Sequence, residues 1–231
     1  LAADLSGITT NAVTAAFDAD GTFTGNLGTA TTTVADSVTM TAAYNVLNGK
    51  TVNHDGSESA QALVVTIASA DAAADLSNIT SDITNLTANF SETQTFIGNL
   101  DSKTASVAND ITVTATAADV TGDTIAAAGN GNIAVTALHS TLAADLSGLS
   151  SSTGAVTAAF DGTGTFTGNL GTATTTVADS VTMTTTAAKA TGKTINEAEL
   201  ENATVVITAL DQTLAADLSG ITTNAVTAAF D

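Results

Sequence analysis

The sequence predicts a mainly β protein, a parallel β-solenoid in which short helical segments lie between the strands. Two observations carry this prediction: an internal repeat of about 70 residues, and stretches in which small apolar residues alternate with Thr. A third is the near absence of large side chains, since the chain has no Trp and aromatic residues are only 3% of it. A thin coil has room inside for Val, Ala and Ile, so we expect a narrow core.

The repeat is marked by the phrase AADLS, whose four aspartates are Asp4, Asp75, Asp145 and Asp217. The first eighteen letters of the chain also recur unchanged as the last eighteen. The chain begins within the repeated phrase and without Met, so we expect it to be a window of a longer protein. It divides into repeat 1 (1–71), repeat 2 (72–141), repeat 3 (142–213) and the start of a fourth (214–231).

Strand-like segments recur within each repeat and predict its coils. In and around repeat 3 they begin at Ile133, Ala155, Ser180 and Val205. Intervals of this size are typical of solenoid coils and predict about three coils per repeat. In ITVTAT, from Ile111, alternate residues face the core while the intervening Thr residues face outward. Identical positions are expected to stack on one another, and three outward Thr residues are then expected to form a ladder: Thr66, Thr136 and Thr208.

Short helices are predicted between the strands. In TLAADLSGI, Leu214 and Leu218 are four positions apart, and in INEAELENA, Ile195 and Leu200 are expected to face inward. The aspartate of the AADLS phrase, as at Asp145, is expected to cap its helix.

The alternative architecture is a string of small antiparallel β-domains, one for each repeat. Such domains usually need a bulkier core and recognisable linkers, and neither Pro nor a linker separates the repeats. The solenoid is therefore the favoured prediction.

The charge of the chain limits its partners. Four Lys against 23 Asp and Glu leave a net charge of -19, which excludes nucleic acid and anionic membrane surfaces as expected partners. No apolar run approaches the roughly 20 residues that span a bilayer, so no membrane insertion is expected in this segment. Calcium is the natural counterpart of so many carboxylates.

A calcium site is predicted at two turns. DADGT contributes Asp18 and Asp20, and its counterpart DGTGT contributes Asp161. Calcium takes six to eight oxygen ligands and would combine such carboxylates with backbone carbonyls. A plain Asp-Gly turn between two strands is the favoured interpretation of these stretches, and the calcium site is the alternative.

No catalytic arrangement is recognisable, so the chain is predicted not to be an enzyme. GKT, at positions 49–51 and 192–194, lacks the earlier Gly of a phosphate-binding loop and is interpreted as a repeated turn. His54 and His139 fall at different phases of the repeat and are interpreted as surface substitutions.

The segment TATAADVTGDTIAAAGNGNIAVTALHSTLAADLSGL, at positions 114–149, resembles the Ala/Thr/Gly-rich tandem arrays of giant secreted bacterial surface proteins, adhesins and type I-secreted repeat proteins among them. The resemblance covers essentially the whole chain and implies an extracellular or cell-surface location. The expected role is a structural segment of a filament, stalk or surface layer. The expected partners are further repeats, or identical subunits joined end to end. The alternative is an adhesin module that binds glycan or ice through a Thr-rich or acidic face.

Overall fold

A computed structural model describes residues 1–8, 12–56, 60–198, 202–210 and 215–229. The chain forms two compact units, Leu1–Ala108 and Asn109–Asp231. The boundary between the units falls inside repeat 2, so a unit is not the same as a sequence repeat. Across the described residues, 21 strands pair in parallel sheets.

Unit 1 is built from two parallel sheets whose strands largely alternate along the chain. One sheet has the order β1-β3-β5, and the other contains β2-β4-β6-β7-β9. Thr80 extends the first sheet as an isolated parallel bridge to Thr51. The strands are β1 Thr14–Phe17, β2 Gly21–Phe23, β3 Thr31–Val34, β4 Thr39–Ala43, β5 Thr51–His54, β6 Ala62–Ile67, β7 Leu86–Phe90, β8 Gln94–Phe96 and β9 Thr104–Val107.

Unit 2 repeats this plan with stricter alternation. Its even-numbered strands form one six-stranded run, β10-β12-β14-β16-β18-β20, and its odd-numbered strands form the groups β11-β13 and β15-β17-β19-β21. The strands are β10 Thr112–Thr116, β11 Ile125–Ala127, β12 Asn132–Thr136, β13 Leu149–Ser151, β14 Val156–Phe160, β15 Gly164–Thr165, β16 Thr174–Val177, β17 Thr182–Thr186, β18 Ile195–Glu197, β19 Thr204–Thr208, β20 Ile221–Thr222 and β21 Ala225–Ala228.

Each described repeat contains one four-residue α-helix that ends in a Gly turn. The helices are α1 Tyr44–Leu47, α2 Ala117–Val120 and α3 Ala187–Ala190, and single 3₁₀ turns lie at Ser69–Asp71, Leu76–Asn78 and Leu138–Ser140. Gly49, Gly122 and Gly192 follow the helices with φ of 70°, 79° and 66°. Gly adopts this left-handed conformation without steric cost, which is why it recurs after the helix in all three repeats.

The core is formed by alternate residues of the strands. Val113 and Ala115 are each 1% exposed, whereas the Thr residues between and beside them are only half-buried. The described aromatic residues also lie inside, and Phe90 packs edge-on against Phe96 with ring centroids 5.1 Å apart. The prediction that alternate strand residues face the core is confirmed.

The mainly β, parallel class is confirmed, and the antiparallel alternative is wrong. Thr104 is the partner of Thr87 where β7 meets β9, and Ile221 is the partner of Ile195 where β18 meets β20. These two registers give the smallest and the largest offset between paired strands. One coil, the stretch of chain between paired strands, therefore takes about 20 residues. Each coil contributes one strand to each of two sheets, so a sequence repeat makes about three and a half coils rather than three.

Sequence-equivalent strands of successive repeats lie in different sheets as a result. In unit 1, β1 corresponds to β7 and β3 to β9; in unit 2, β10 corresponds to β17. The prediction that identical positions stack on one another is wrong: Phe160, for example, lies beside Val177. The predicted Thr ladder is wrong for the same reason, since Thr136 is in β12 and Thr208 is in β19.

Candidate functional site

The AADLS phrase forms a bridge between coils in each of the three repeats, and of the predicted short helix only a 3₁₀ turn in repeat 2 is present among the described residues. Asp4 pairs with Asn26, Asp75 with Asn99 and Asp145 with Asn169, each as an isolated parallel bridge. These Asn residues belong to the GNL phrase, which follows the AADLS phrase by about one coil. The bridge therefore joins the two best-preserved phrases of the repeat.

The Gly of the GNL phrase is required by this bridge. A Cβ atom on Gly25, Gly98 or Gly168 would overlap the backbone carbonyl oxygen of the Ala that precedes the bridging Asp. In repeat 3, that oxygen on Ala144 accepts a hydrogen bond from Asn169 N–H at 2.8 Å. The repeated Gly is thus explained by close approach of two backbones.

The aspartates of the bridge close local turns. Asp145 Oδ1 accepts a hydrogen bond from Ser147 N–H at 3.0 Å, and Asp4 and Asp217 do the same with Ser6 and Ser219. The pKa of Asp145, Asp4 and Asp217 is lowered below the ordinary value by two hydrogen bonds, of which the one from the Ser side chain has the larger effect and the one from the Ser backbone the smaller. Of these four aspartates, only Asp75 caps a helical element within the described ranges, the 3₁₀ turn at Leu76–Asn78.

The predicted calcium ligands have protein partners of their own. Asp20 Oδ1 accepts a hydrogen bond from Thr39 N–H at 2.7 Å, at the start of the next strand in its sheet. Thr163 replaces it in repeat 3 and accepts from Thr182 N–H at 3.1 Å. Asp18 is exposed beside Asp20. Within the described ranges, no three His, Cys, Asp or Glu side chains are grouped closely enough to share a metal ion. The calcium site stays a prediction.

His139 and Asp161 form a contact that the sequence alone did not reveal. The two are 22 positions apart, about one coil, and Nδ1 of His139 meets Oδ1 of Asp161. The ring lies directly over Gly162, where a Cβ atom would collide with it. Their separation in the sequence equals about one coil. That separation could have related the two residues only if the coil length had been known.

Ser140 extends this contact into a chain of three groups. Its Oγ lies 3.1 Å from Nε2 of His139, so the order Ser–His–Asp matches that of a catalytic triad. The His139 and Asp161 side chains are 36% and 45% exposed, and Ser140 is exposed. Water therefore competes for the hydrogen bonds of all three side chains, whereas an activated nucleophile depends on a preorganised and sheltered site.

The second histidine lines a polar cavity in unit 1. Asp82 Oδ1 accepts a hydrogen bond from the backbone N–H of His54 at 2.7 Å, and Asp82 Oδ2 lies 3.4 Å from Nε2 of the His54 ring. Gly56 N–H donates to Nδ1 at 2.9 Å, which leaves the ring proton on Nε2, toward Asp82. The cavity, of about 330 Å³, is also lined by Gln61 and Ile83.

The GKT phrase is a turn, as predicted. Lys50 Nζ donates to Gly28 O at 2.6 Å, and Lys193 Nζ donates to Gly171 O at the same distance. Each Lys thus binds a carbonyl one coil earlier in the chain. In repeat 2 the equivalent residue is Asp123, and partial burial raises the pKa of its carboxyl group.

The acidic side chains of the described residues lie almost entirely outside the strands. Among the described residues, Glu197 is the one acidic residue inside a strand. The other described carboxylates lie in turns, connections and short helical segments, as Asp119 does in α2. Outward strand positions hold Thr, Ala, Asn, Ser and Val, as in the row formed by Ala134, Thr157 and Thr174. The sheet faces are therefore largely uncharged although the chain as a whole is strongly acidic.

Comparison of the chain with protein-family models, curated proteins and solved structures finds no match. Among the described residues, no helix has both the length and the apolar composition needed to cross a membrane.

Proposed function

We propose that the chain is a non-enzymatic structural segment of an extracellular bacterial filament, stalk or surface layer, in which tandem repeats stack as a solenoid. The observation that carries the proposal is the parallel pairing of each strand with a strand about one coil away. In such an arrangement every added coil extends the sheets without a new topology.

The repeated contacts support stacking as the purpose of the sequence. The Asp–Asn bridge recurs at Asp4, Asp75 and Asp145, and the Lys-to-carbonyl bond recurs at Lys50 and Lys193. All of these join one coil to the next. These bridges and Lys bonds are made with backbone groups of a neighbouring coil.

The proposal is tested by adding repeats. Chains carrying one and two further copies of repeats 2 and 3 are compared by small-angle scattering and electron microscopy. We expect the length to rise by about 17 Å per repeat, the spacing of three and a half coils about 4.8 Å apart. A radius of gyration that follows the compact-globule law, growing as about N to the power 0.38, would overturn the proposal.

The proposal that the protein is not an enzyme has a separate test at the three side chains of Ser140, His139 and Asp161. A fluorophosphonate probe is incubated with the chain and with the Ser140→Ala variant, and labelling is followed by mass spectrometry. We expect equal, background labelling of both. Stoichiometric labelling that both Ser140→Ala and His139→Ala abolish would establish an activated serine.

A second candidate is an adhesin module that binds glycan or ice through its Thr-rich face. The uncharged outward rows favour it, since such a face can approach a neutral partner closely. Glycan-array and ice-recrystallisation assays are run with the chain, with Thr157→Lys on the face, and with the control Thr163→Lys in a turn. Binding lost only in Thr157→Lys would support this candidate, and silence in both assays would leave the structural proposal.

A further inference from the structure

The number of strand positions in one repeat is odd. In unit 2 the sequence equivalents are β10 and β17, β11 and β18, β12 and β19, β13 and β20, and β14 and β21. Each pair is separated by seven places in the order of strands. The same count holds in unit 1 once the isolated bridge at Thr80 is included, because Thr80 occupies a strand position without forming a strand.

An odd count exchanges the two faces. Consecutive strands of unit 2 alternate between the six-stranded run and the odd-numbered groups. Seven steps therefore end on the opposite kind of strand. Thr114 of repeat 2 lies in the six-stranded run, and its equivalent in repeat 3, Thr184, lies in the group that contains β17.

We propose that each repeat turns its outward surface to the face opposite that of its neighbours, so that the structural period of the array is two sequence repeats and the array is two-sided. The proposal rests on the stacking of repeats proposed above. Two repeats then form seven coils, with a true axial period of about 34 Å and a half-turn relation at about 17 Å.

This arrangement gives both faces the same interaction surface. Outward Thr residues occur in the six-stranded run, as at Thr157 and Thr174, and in the other group, as at Thr182 and Thr204. A partner that recognises the outward surface of one repeat meets it on alternate sides along the array. A stacked array would bridge two flat, uncharged partners rather than coat one.

The experiment uses paired spin labels within unit 2, and the chain has no native Cys to interfere. The test variant carries Thr114→Cys and Thr184→Cys, which are sequence equivalents. The control variant carries Ala159→Cys and Thr222→Cys, which share one sheet and are three strand steps apart through Thr176 and Asn196. Pulsed electron spin resonance gives both distances.

We expect the test distance to be about twice the control distance. The control labels point the same way across about 14 Å, whereas the test labels point apart from two sheets about 10 Å apart and about 17 Å along the axis. Equal distances in the two variants would overturn the proposal. Thr157→Cys with Thr227→Cys, a second equivalent pair from β14 and β21, provides the same measurement if the first variant does not fold.

The outcome is independent of whether the native material is a filament. A long test distance in a chain whose length does not grow with added repeats would retain the face exchange and reject the stalk. A short test distance in a chain whose length does grow with added repeats would reject the face exchange and retain the stalk.

Discussion

Three hydroxyl groups inside the core have no hydrogen-bonding partner among the described residues. They belong to Thr32, Thr175 and Thr185, each at most 1% exposed. Thr32 and Thr175 are equivalent positions of repeats 1 and 3, and repeat 2 has Ala105 there. Since the repeat accepts an apolar residue at this place, the hydroxyl group serves no contact that the coil depends on.

We expect Thr175→Val to stabilise the chain. Removing a buried, unpaired hydroxyl group while keeping the shape of the side chain should raise the free energy of unfolding by about 1 kcal/mol. Urea denaturation measures the change. Thr174→Val, on the outward side of the same strand, is the control and should change stability by less than about 0.5 kcal/mol. A loss of stability in Thr175→Val would show that the hydroxyl group is satisfied.

The Asp–Ser turns predict sensitivity to acid. Because the pKa of Asp145 is lowered from 3.8 in the folded chain, its contribution to stability is present above the unfolded pKa and is lost as pH falls through the folded pKa. Ser147→Ala removes the side-chain hydrogen bond, the largest cause of the shift. Carbon NMR titration should show the pKa of Asp145 moving upward, and acid unfolding should begin at higher pH. Ser150→Ala, an exposed position in β13, should leave both unchanged.

At the scale of elements, the strands were far easier to predict from the sequence than the connections. Alternation alone identified which residues of ITVTAT face inward, because a strand has a period of two. The helix predicted at the AADLS phrase does not form at Asp4 or Asp145, where a bridge to the GNL phrase and an Asp–Ser turn satisfy the backbone instead. Of the two leucines on which that prediction rested, Leu214 lies outside the described residues. At INEAELENA, Ile195 lies in β18 and is buried, so the first part of that helix is also wrong, while Leu200 lies outside the described residues.

The glycines of the two kinds of turn should differ in their tolerance of Ala. We expect Gly168→Ala to destabilise the chain by about 1 to 3 kcal/mol, because its Cβ atom would force two coils apart. Gly122→Ala meets no atom within 4 Å and should cost only the strain of its left-handed conformation, about 1 kcal/mol. Thermal unfolding compares the two. Equal losses would argue against backbone contact at Gly168.

At the scale of the whole molecule, net charge opposes compactness. With a charge of -19 and four Lys, the carboxylates repel one another wherever they crowd the turns. We expect thermal stability to rise as NaCl increases from about 10 mM to about 150 mM, over which screening shortens from about 30 Å to about 8 Å. A midpoint that falls or stays constant would show that self-repulsion is not significant.

The predicted calcium site is tested separately from screening. At constant ionic strength, calcium should raise the unfolding midpoint of the chain more than magnesium does if Asp18 and Asp20 bind it. The double variant Asp18→Asn, Asp20→Asn should lose that difference, whereas Asp36→Asn at another turn should keep it. Identical responses to both cations would remove calcium from these turns.

The repeat length was readable from the sequence, but the number of coils within it was not. The strand-like segments between Ile133 and Val205 suggested three coils because the second strand of each coil is short and poor in Val and Ile. Segments such as Gly164–Thr165 carry no alternation that a pattern would detect. The contact between His139 and Asp161 was hidden for the same reason, since only the coil length relates them.

The odd count of strand positions also bears on how such a sequence can evolve. Tandem repeats are gained and lost by unequal recombination, one copy or several at a time. Loss of a single repeat would keep every hydrogen bond in register and yet turn everything beyond it to the other side, whereas loss of two would leave orientation untouched. Lineages whose function depends on a facing surface should therefore vary their repeat number in steps of two.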